Sequence, residues 1–368
     1  TTTDEKVEYS LDKSIKLFSL KNFDGNKNPL VKNIIYLKRL KDYIKEIDPD
    51  IILGFLPEPS YRLLILKPFI KSPVIISDRN DPKIEYASLK SRTIMKFLYK
   101  RADGFVFQTD EARDYFCKKI QDKSIVIANP VDDRFLKTKY VGYKSTEFIN
   151  VGRLNEQKNQ ILLIESFKDV IKKYPNYKLL IYGEGSLKNE LSMYIKDNKL
   201  NNNVKLCGNV DDIENILKDK KGFILSSKYE GMPNALMEAM AVGLPCISTN
   251  CPCGGPKELI DGNKNGLLVE NNNKEELTSS ICRLIEDNNI CRQLSKNARD
   301  KMQEYNCDKI VNKWFDFILN RVDDEIYFNT NRISSLENAL NNLQRMKFTD
   351  SSNLPIESSK MKINNIKK

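Results

Sequence analysis

Short apolar runs alternate with amphipathic stretches along most of this chain. Residues 50–55 (DIILGF), 73–77 (PVIIS), 104–109 (GFVFQT) and 124–129 (SIVIAN) are too short for helices and are bounded by polar or turn residues, which predicts buried strands. Between them, 31–47, 61–70 and 89–100 carry apolar residues at helical spacing. A second series follows. It predicts strands at 148–152 (FINVG), 178–183 (KLLIYG), 204–208 (VKLCG), 222–227 (GFILSS) and 245–249 (PCIST), with helices at 161–173 and 187–196. Strands alternating with helices specify parallel sheets covered on both faces, so the fold class is α/β with two doubly wound, Rossmann-like domains. Residues 130–146 lack periodicity and read as a linker. Helices are expected at 275–286 and 308–319, the latter holding the only tryptophan, Trp314. Past Arg321 the chain turns polar and asparagine-rich; a helix is expected at 334–346 and a flexible tail over 349–368. The expected division is a first domain over 1–143, a second over 144–306, a helix crossing back to the first domain over 307–325, and a tail over 326–368. No internal repeat is present.

Composition narrows the chemistry. The 368 residues contain no histidine, which excludes a Ser-His-Asp triad, a Cys-His dyad and a mixed Cys/His zinc site. The eight cysteines are scattered without paired C-x-x-C spacing, and with no export signal they read as reduced thiols of a cytoplasmic protein. No apolar run approaches the roughly 18–20 residues that span a bilayer. The net charge of +10 is uneven: 28 basic residues face 20 acidic ones before Ser145, and 32 face 30 from there on. The excess in the first part suits an acidic partner such as an anionic membrane surface, a phosphorylated acceptor or nucleic acid. An ordinary solvated surface is the plain alternative. The basic residues lack interleaved aromatics, so nucleic acid is not expected.

The most informative segment is 230–238, EGMPNALME. It sets Glu230 and Glu238 eight positions apart across a loop-to-helix junction that follows the 222–227 strand. Pro233 and Asn234 stand where the helix starts, with Asn234 the better N-cap. An open helix start offers N–H groups and partial positive charge to a diphosphate. Carboxylates accept hydrogen bonds from hydroxyls, and a sugar nucleotide carries hydroxyls on both sides of its diphosphate. A helix cap beside a surface glutamate is the bland reading of the same residues. In 151–159, VGRLNEQKN, Arg153 and Lys158 follow a strand and suit a diphosphate as a forked guanidinium and a point charge.

Several weaker features accompany these. Gly183 opens a strand-to-helix turn (YGEGS) that permits close approach to a nucleotide, or is simply a tight turn; it is not G-x-G-x-x-G. Gly208, Asn209 and Val210 (in GNVDD) can present backbone groups to a base edge, or form a plain loop. Gly254 and Gly255 before Pro256 mark a second helix start. Asp48 and Asp50 make a D-x-D string entering a strand, read as a turn and not as a metal site. Asp78, Arg79 and Asn80 (in SDRNDP) follow a first-domain strand and can orient an acceptor, or close a turn through an internal ion pair. Residues 88–101 place Lys90, Arg92, Lys96 and Lys100 among apolar residues. Such a helix lies on an anionic membrane, or packs its apolar face on its own sheet.

Taken together, VGRL…KN, the two glutamates eight apart and GGPKEL resemble the retaining glycosyltransferases of the GT-B fold, glycosyltransferase family four. The resemblance runs to about Leu319, and ISDRNDP, ADGFVFQT and NPVD are similar to bacterial polysaccharide-assembly members. It implies that Arg153 and Lys158 bind the diphosphate, Glu238 the ribose and Glu230 the transferred sugar, while backbone at Gly231, Met232, Pro233 and Asn234 approaches sugar and phosphates. It implies transfer of a hexose or N-acetylhexosamine from a nucleotide sugar, expected to be a UDP-sugar, to a lipid-linked glycan, with retention and with no metal or further cofactor. The expected location is the cytoplasm, at the inner face of the plasma membrane. A non-catalytic scaffold binding a glycan or protein is the alternative. Two departures stand out. The opening TTTDEK resembles the end of the family's second strand, as if the first strand, glycine-rich loop and helix were missing, and the first domain offers no histidine.

Overall fold

The structure, a computed structural model, describes residues 28–321. The opening residues, the end of the 307–325 span, and the 326–368 tail with its expected helix lie outside the described residues. The described chain divides into two compact units, residues 28–128 with 308–321, and residues 129–307.

In the first unit, β1 (Ile52–Phe55), β2 (Val74–Ser77), β3 (Gly104–Phe107) and β4 (Ser124–Val126) form a parallel sheet in that order. The first three strands are buried along their whole length, and therefore read as unbroken apolar runs instead of alternating patterns. The helix Pro29–Ile47 starts at Asn28, whose side chain accepts the Leu30 N–H, and ends at Asp48 in the left-handed conformation. The D-x-D string thus begins as a helix cap. The helix Leu89–Leu98 is capped by Ser88, whose hydroxyl oxygen accepts the Ser91 N–H. Trp314, on the helix Cys307–Leu319, is buried in this unit with its ring centroid 6.0 Å from that of Phe55.

In the second unit, β5 (Glu147–Val151), β6 (Lys178–Tyr182), β7 (Val204–Gly208), β8 (Gly222–Leu225), β9 (Cys246–Asn250) and β10 (Leu267–Glu270) form one parallel sheet, ordered β10-β9-β8-β5-β6-β7. Sequence reading missed β10 because its four residues sit between asparagine-rich turns. It also missed the helix Asn288–Met302, which is polar except for one narrow buried stripe of Cys291, Leu294, Ala298 and Met302.

Residues 129–146 are not a bare linker. The Val131 N–H donates to the Tyr305 carbonyl at 2.8 Å, and Phe135 on the short helix Asp133–Lys137 is fully buried. Elements this short carry no readable period. They pack within the second unit, so the division falls after Ala128 and not at 143/144.

The strand order positions the site. β5 pairs with β8 on one side and β6 on the other, with Phe148 opposite Gly222 and Ile149 opposite Phe223. The chain winds outward in both directions from this point. A crevice therefore opens beyond the carboxyl ends of β5 and β8, where ligands of such sheets lie.

Candidate functional site

The loops leaving β5 and β8 lie side by side. Lys158, from the first, and Glu230, from the second, meet in a buried ion pair with Nζ 2.7 Å from Oε1. The residues are 6% and 3% exposed, so neither charge is relaxed by bulk water. Removing one partner from such a pair strands the other. Ser227 donates its hydroxyl to the same Glu230 oxygen at 2.6 Å.

The Glu230 backbone is pinned on both sides: its N–H donates to the Pro252 carbonyl at 2.6 Å and its carbonyl accepts the Cys253 N–H at 2.9 Å. The two loops are also stitched directly. The Lys228 N–H donates to the Gln157 carbonyl at 2.7 Å, and Gln157 Nε2 to the Tyr229 carbonyl at 3.0 Å. Lys158 and Glu230, expected separately on diphosphate and sugar, are thus joined as one unit.

The helix Asn234–Val242 begins beside this pair, and no side chain caps its first turn. Asn234 is the first helical residue and not the N-cap; Pro233, with extended dihedrals, takes the cap position. The reason is local. The Asn234 Oδ1 accepts from Asn129 Nδ2 at 2.6 Å, so the side chain is turned to another strand's loop. Gly231, Met232 and Pro233 are buried, while Asn234, Ala235 and Glu238 are half-buried on an otherwise buried helix. Positions 234 and 238 share one face, one turn apart. Glu238 therefore stands on the stripe that contains the helix start.

Arg153 is half-buried on the loop after β5, and Gln160 Nε2 holds its carbonyl at 2.8 Å. Leu154 is fully buried and anchors the same loop, its N–H donating to the Glu184 carbonyl at 2.9 Å. Gly183 (φ +136°) is required by the chain itself: a Cβ there would lie 2.0 Å from the Gly152 carbonyl oxygen. Its N–H donates to the Gly208 carbonyl at 2.8 Å. Both glycines draw the ends of β5, β6 and β7 together. Asn209 is exposed and Val210 half-buried just beyond.

Asp78, Arg79 and Asn80 lie in the first unit, after β2. Asp78 is not presented as an open carboxylate. Its two oxygens accept from the Tyr86 hydroxyl at 2.8 Å and the Tyr99 hydroxyl at 2.9 Å, and burial, opposed by these bonds, raises its pKa to about 6. Arg79 is not its ion-pair partner in a turn. The guanidinium stands over Phe55 at 5.2 Å and Trp314 at 5.5 Å, and burial lowers its pKa to about 9, still charged at neutral pH. Asn80 Nδ2 donates to Glu85 at 2.7 Å.

Two site residues escaped sequence reading. Ser227 read only as the polar end of a strand, and Asn129 only as part of NPVD. For Ser227 the available signal was a polar residue just after a buried strand and beside a charged loop; Asn129, beyond the half-buried β4, offered none.

Residues 136–301 match the family described as Glycosyl transferases group 1. An uncharacterized glycosyltransferase of Methanocaldococcus jannaschii is 30% identical, over 79% of this chain and 85% of that protein. The UDP-Gal:alpha-D-GlcNAc-diphosphoundecaprenol alpha-1,3-galactosyltransferase of Escherichia coli is 29% identical, over 84% and 86%. The crystal structure of Anabaena HepE in complex with UDP-glucose superimposes with a TM-score of 0.71 at 19% identity, covering 80% of this chain and 84% of that one, a likeness of fold. On this similarity along most of its length, the chain belongs to the group 1 glycosyl transferases and is a glycosyltransferase of the GT-B fold.

Proposed function

We propose that the chain transfers a hexose or N-acetylhexosamine from a UDP-sugar to a lipid-linked glycan in cell-surface polysaccharide synthesis, with retention of anomeric configuration and without a metal or further cofactor. One observation carries the reading: a buried lysine and glutamate, joined at 2.7 Å, stand on adjacent strand ends beside an uncapped helix start. The activity named for the E. coli relative supplies the substrate classes, a UDP-sugar and a diphosphate-linked lipid acceptor.

In this reading Arg153, Lys158 and the start of the helix Asn234–Val242 receive the diphosphate. As the bond from sugar C1 to the phosphate oxygen breaks, negative charge grows on the leaving group, and these groups stabilise it more than they stabilise the ground state. That cationic set takes the place a metal would otherwise fill. Glu230 accepts hydroxyls of the transferred sugar and Glu238 those of the ribose, while backbone at Gly183 and 208–210 flanks the base. The chain has no histidine to act as base. The acceptor oxygen then attacks C1 from the face the phosphate leaves, and its proton passes to the departing phosphate oxygen.

The same proposal places the first unit against the inner face of the plasma membrane. Among the described residues, no helix is long and apolar enough to cross one. Leu89 and Phe97 are 79% and 62% exposed on the helix Leu89–Leu98, with Lys90 and Lys96 exposed beside them and Lys100 just beyond. A cavity of about 520 Å³ is bordered by Lys83, Arg92, Lys96 and Lys100 over Met95, Phe116 and Ile120. Cations around an apolar floor suit an anionic lipid surface, and no nucleic acid is invoked.

The test is incubation of the protein with a panel of UDP-sugars and a polyprenyl-diphosphate glycan, with and without chelator. The expected product keeps the donor's anomeric configuration by NMR, at a rate the chelator leaves unchanged. No turnover with any donor, or an inverted product, would overturn the reading.

A further inference from the structure

Glu230 is held by two donors of different kinds, and both meet one oxygen. Lys158 Nζ lies 2.7 Å and Ser227 Oγ 2.6 Å from Oε1. Ser227 follows β8 and is fully buried. Its own carbonyl accepts the Thr249 hydroxyl at 2.7 Å, which ties the residue to the end of β9. Ser227 therefore sits on rigid backbone, whereas Lys158 reaches Glu230 through four flexible carbons. We propose that Ser227 is the positioning residue of the donor-sugar site: it keeps the Glu230 carboxylate in one orientation, with Oε2 turned to the sugar hydroxyls, when Lys158 is drawn to the donor's diphosphate.

The inference rests on the donor-site reading above and adds an order of events to it. The lysine and the serine share Oε1. A diphosphate carries more negative charge than one carboxylate and attracts the ammonium away from Glu230. A buried carboxylate that loses its cation needs another donor. Ser227 is that donor, already in place and unable to follow the phosphate. Diphosphate binding and sugar recognition are thereby separated. The nucleotide takes the lysine, and the serine keeps the acid aligned for the sugar.

The experiment compares Ser227→Ala, Ser227→Cys and Ser227→Thr with the unsubstituted protein. UDP and UDP-sugar affinities are measured by calorimetry, and kcat and KM on the best donor of the panel. UDP measures the phosphate side alone and reports an intact fold. Alanine and the near-isosteric, weakly donating cysteine are expected to leave UDP affinity within about twofold. They are expected to remove the extra affinity for the UDP-sugar and lower kcat by about 10- to 100-fold, the loss of one hydrogen bond to a charged group. Threonine is expected to recover most of the loss. Equal weakening of UDP and UDP-sugar, or a cysteine variant that matches the unsubstituted protein, would overturn the assignment. If the unsubstituted protein bound UDP but no UDP-sugar, the donor-site reading would fall first.

Discussion

The carbonyl oxygen of Gly231 occupies the place where a side chain on residue 255 would begin: a Cβ built at Gly255 would lie 1.7 Å from it. Gly255 opens the short helix Gly255–Leu259, and Gly231 directly follows Glu230. The second glycine of GGPKEL thus exists to let the Glu230 loop approach.

Gly255→Ala is expected to push that loop away and displace Glu230 from Lys158. Forced overpacking costs about 1–3 kcal/mol, and turnover should fall by at least tenfold. Gly262→Ala is the control. Its φ is positive, +50°, which that of Gly255 is not, and its Cβ would meet nothing within 4 Å. It should lose stability and keep activity. Equal activity losses in the two would show that the Gly231 contact is not what matters at 255.

How far this arrangement could be read beforehand differs by residue. The strands were legible because parallel, doubly covered strands are continuous apolar runs; VIIS and GFIL need no partner to be recognised. Glu230 and Lys158 were legible as candidate-site residues from their loops. Their ion pair was not, since it depends on β5 lying next to β8, a pairing that sets Phe148 opposite Gly222, 74 positions away, and that no local pattern encodes. The bond between Asn129 and Asn234 spans 105 positions and was hidden likewise, whereas Ser227 lies three positions from Glu230 and was passed over as the polar end of a strand. Asp78 was read as available to an acceptor, or to an ion pair within its turn, because charged residues after a strand usually are. The two tyrosines that bury it lie 8 and 21 positions away.

That buried carboxyl gives a pH signature. Asp78 titrates at about 6 in the folded state against 3.8 ordinarily, chiefly because burial disfavours its charged form. The folded protein therefore binds this proton more tightly than the unfolded chain. The group's contribution is greatest below about pH 4, declines as pH rises to about 6 and is level above, a change on the order of 3 kcal/mol. Asp169, pulled down by hydrogen bonds from Lys172 and Lys274, works in the opposite direction. The informative quantity is then the difference between the protein and Asp78→Asn, from urea midpoints at pH 4, 5, 6 and 7. The difference should change in the variant's favour between pH 4 and 6. A constant difference would mean that Asp78 does not titrate there.

The basic helix makes a salt-dependent expectation. Each lysine near an anionic surface contributes about 1 kcal/mol, so Lys96→Ala with Lys100→Ala should weaken binding to phosphatidylglycerol vesicles by roughly 30-fold. Sedimentation with the vesicles reads this directly. Phe97→Ser should weaken binding at all salt concentrations, whereas the lysine effect should shrink as salt rises. Unchanged partitioning in both variants would remove the membrane from the proposal.

The Lys158–Glu230 pair separates stability from activity. Lys158→Met alone leaves a carboxylate 3% exposed that keeps the Ser227 hydroxyl but loses its cation, and Glu230→Met alone leaves an ammonium 6% exposed without this carboxylate. Each should destabilise by about 3–5 kcal/mol, because an unpaired buried charge costs far more than the pair contributes. The double substitution removes both charges and should recover most of that loss. Activity should follow another course. The diphosphate still needs its cation and the sugar its acceptor, so the double variant should be at least as inactive as either single one. Denaturation midpoints and turnover on the same four proteins complete the cycle. If activity returned together with stability, the pair would be a structural strut, and the diphosphate would have to be held by other groups.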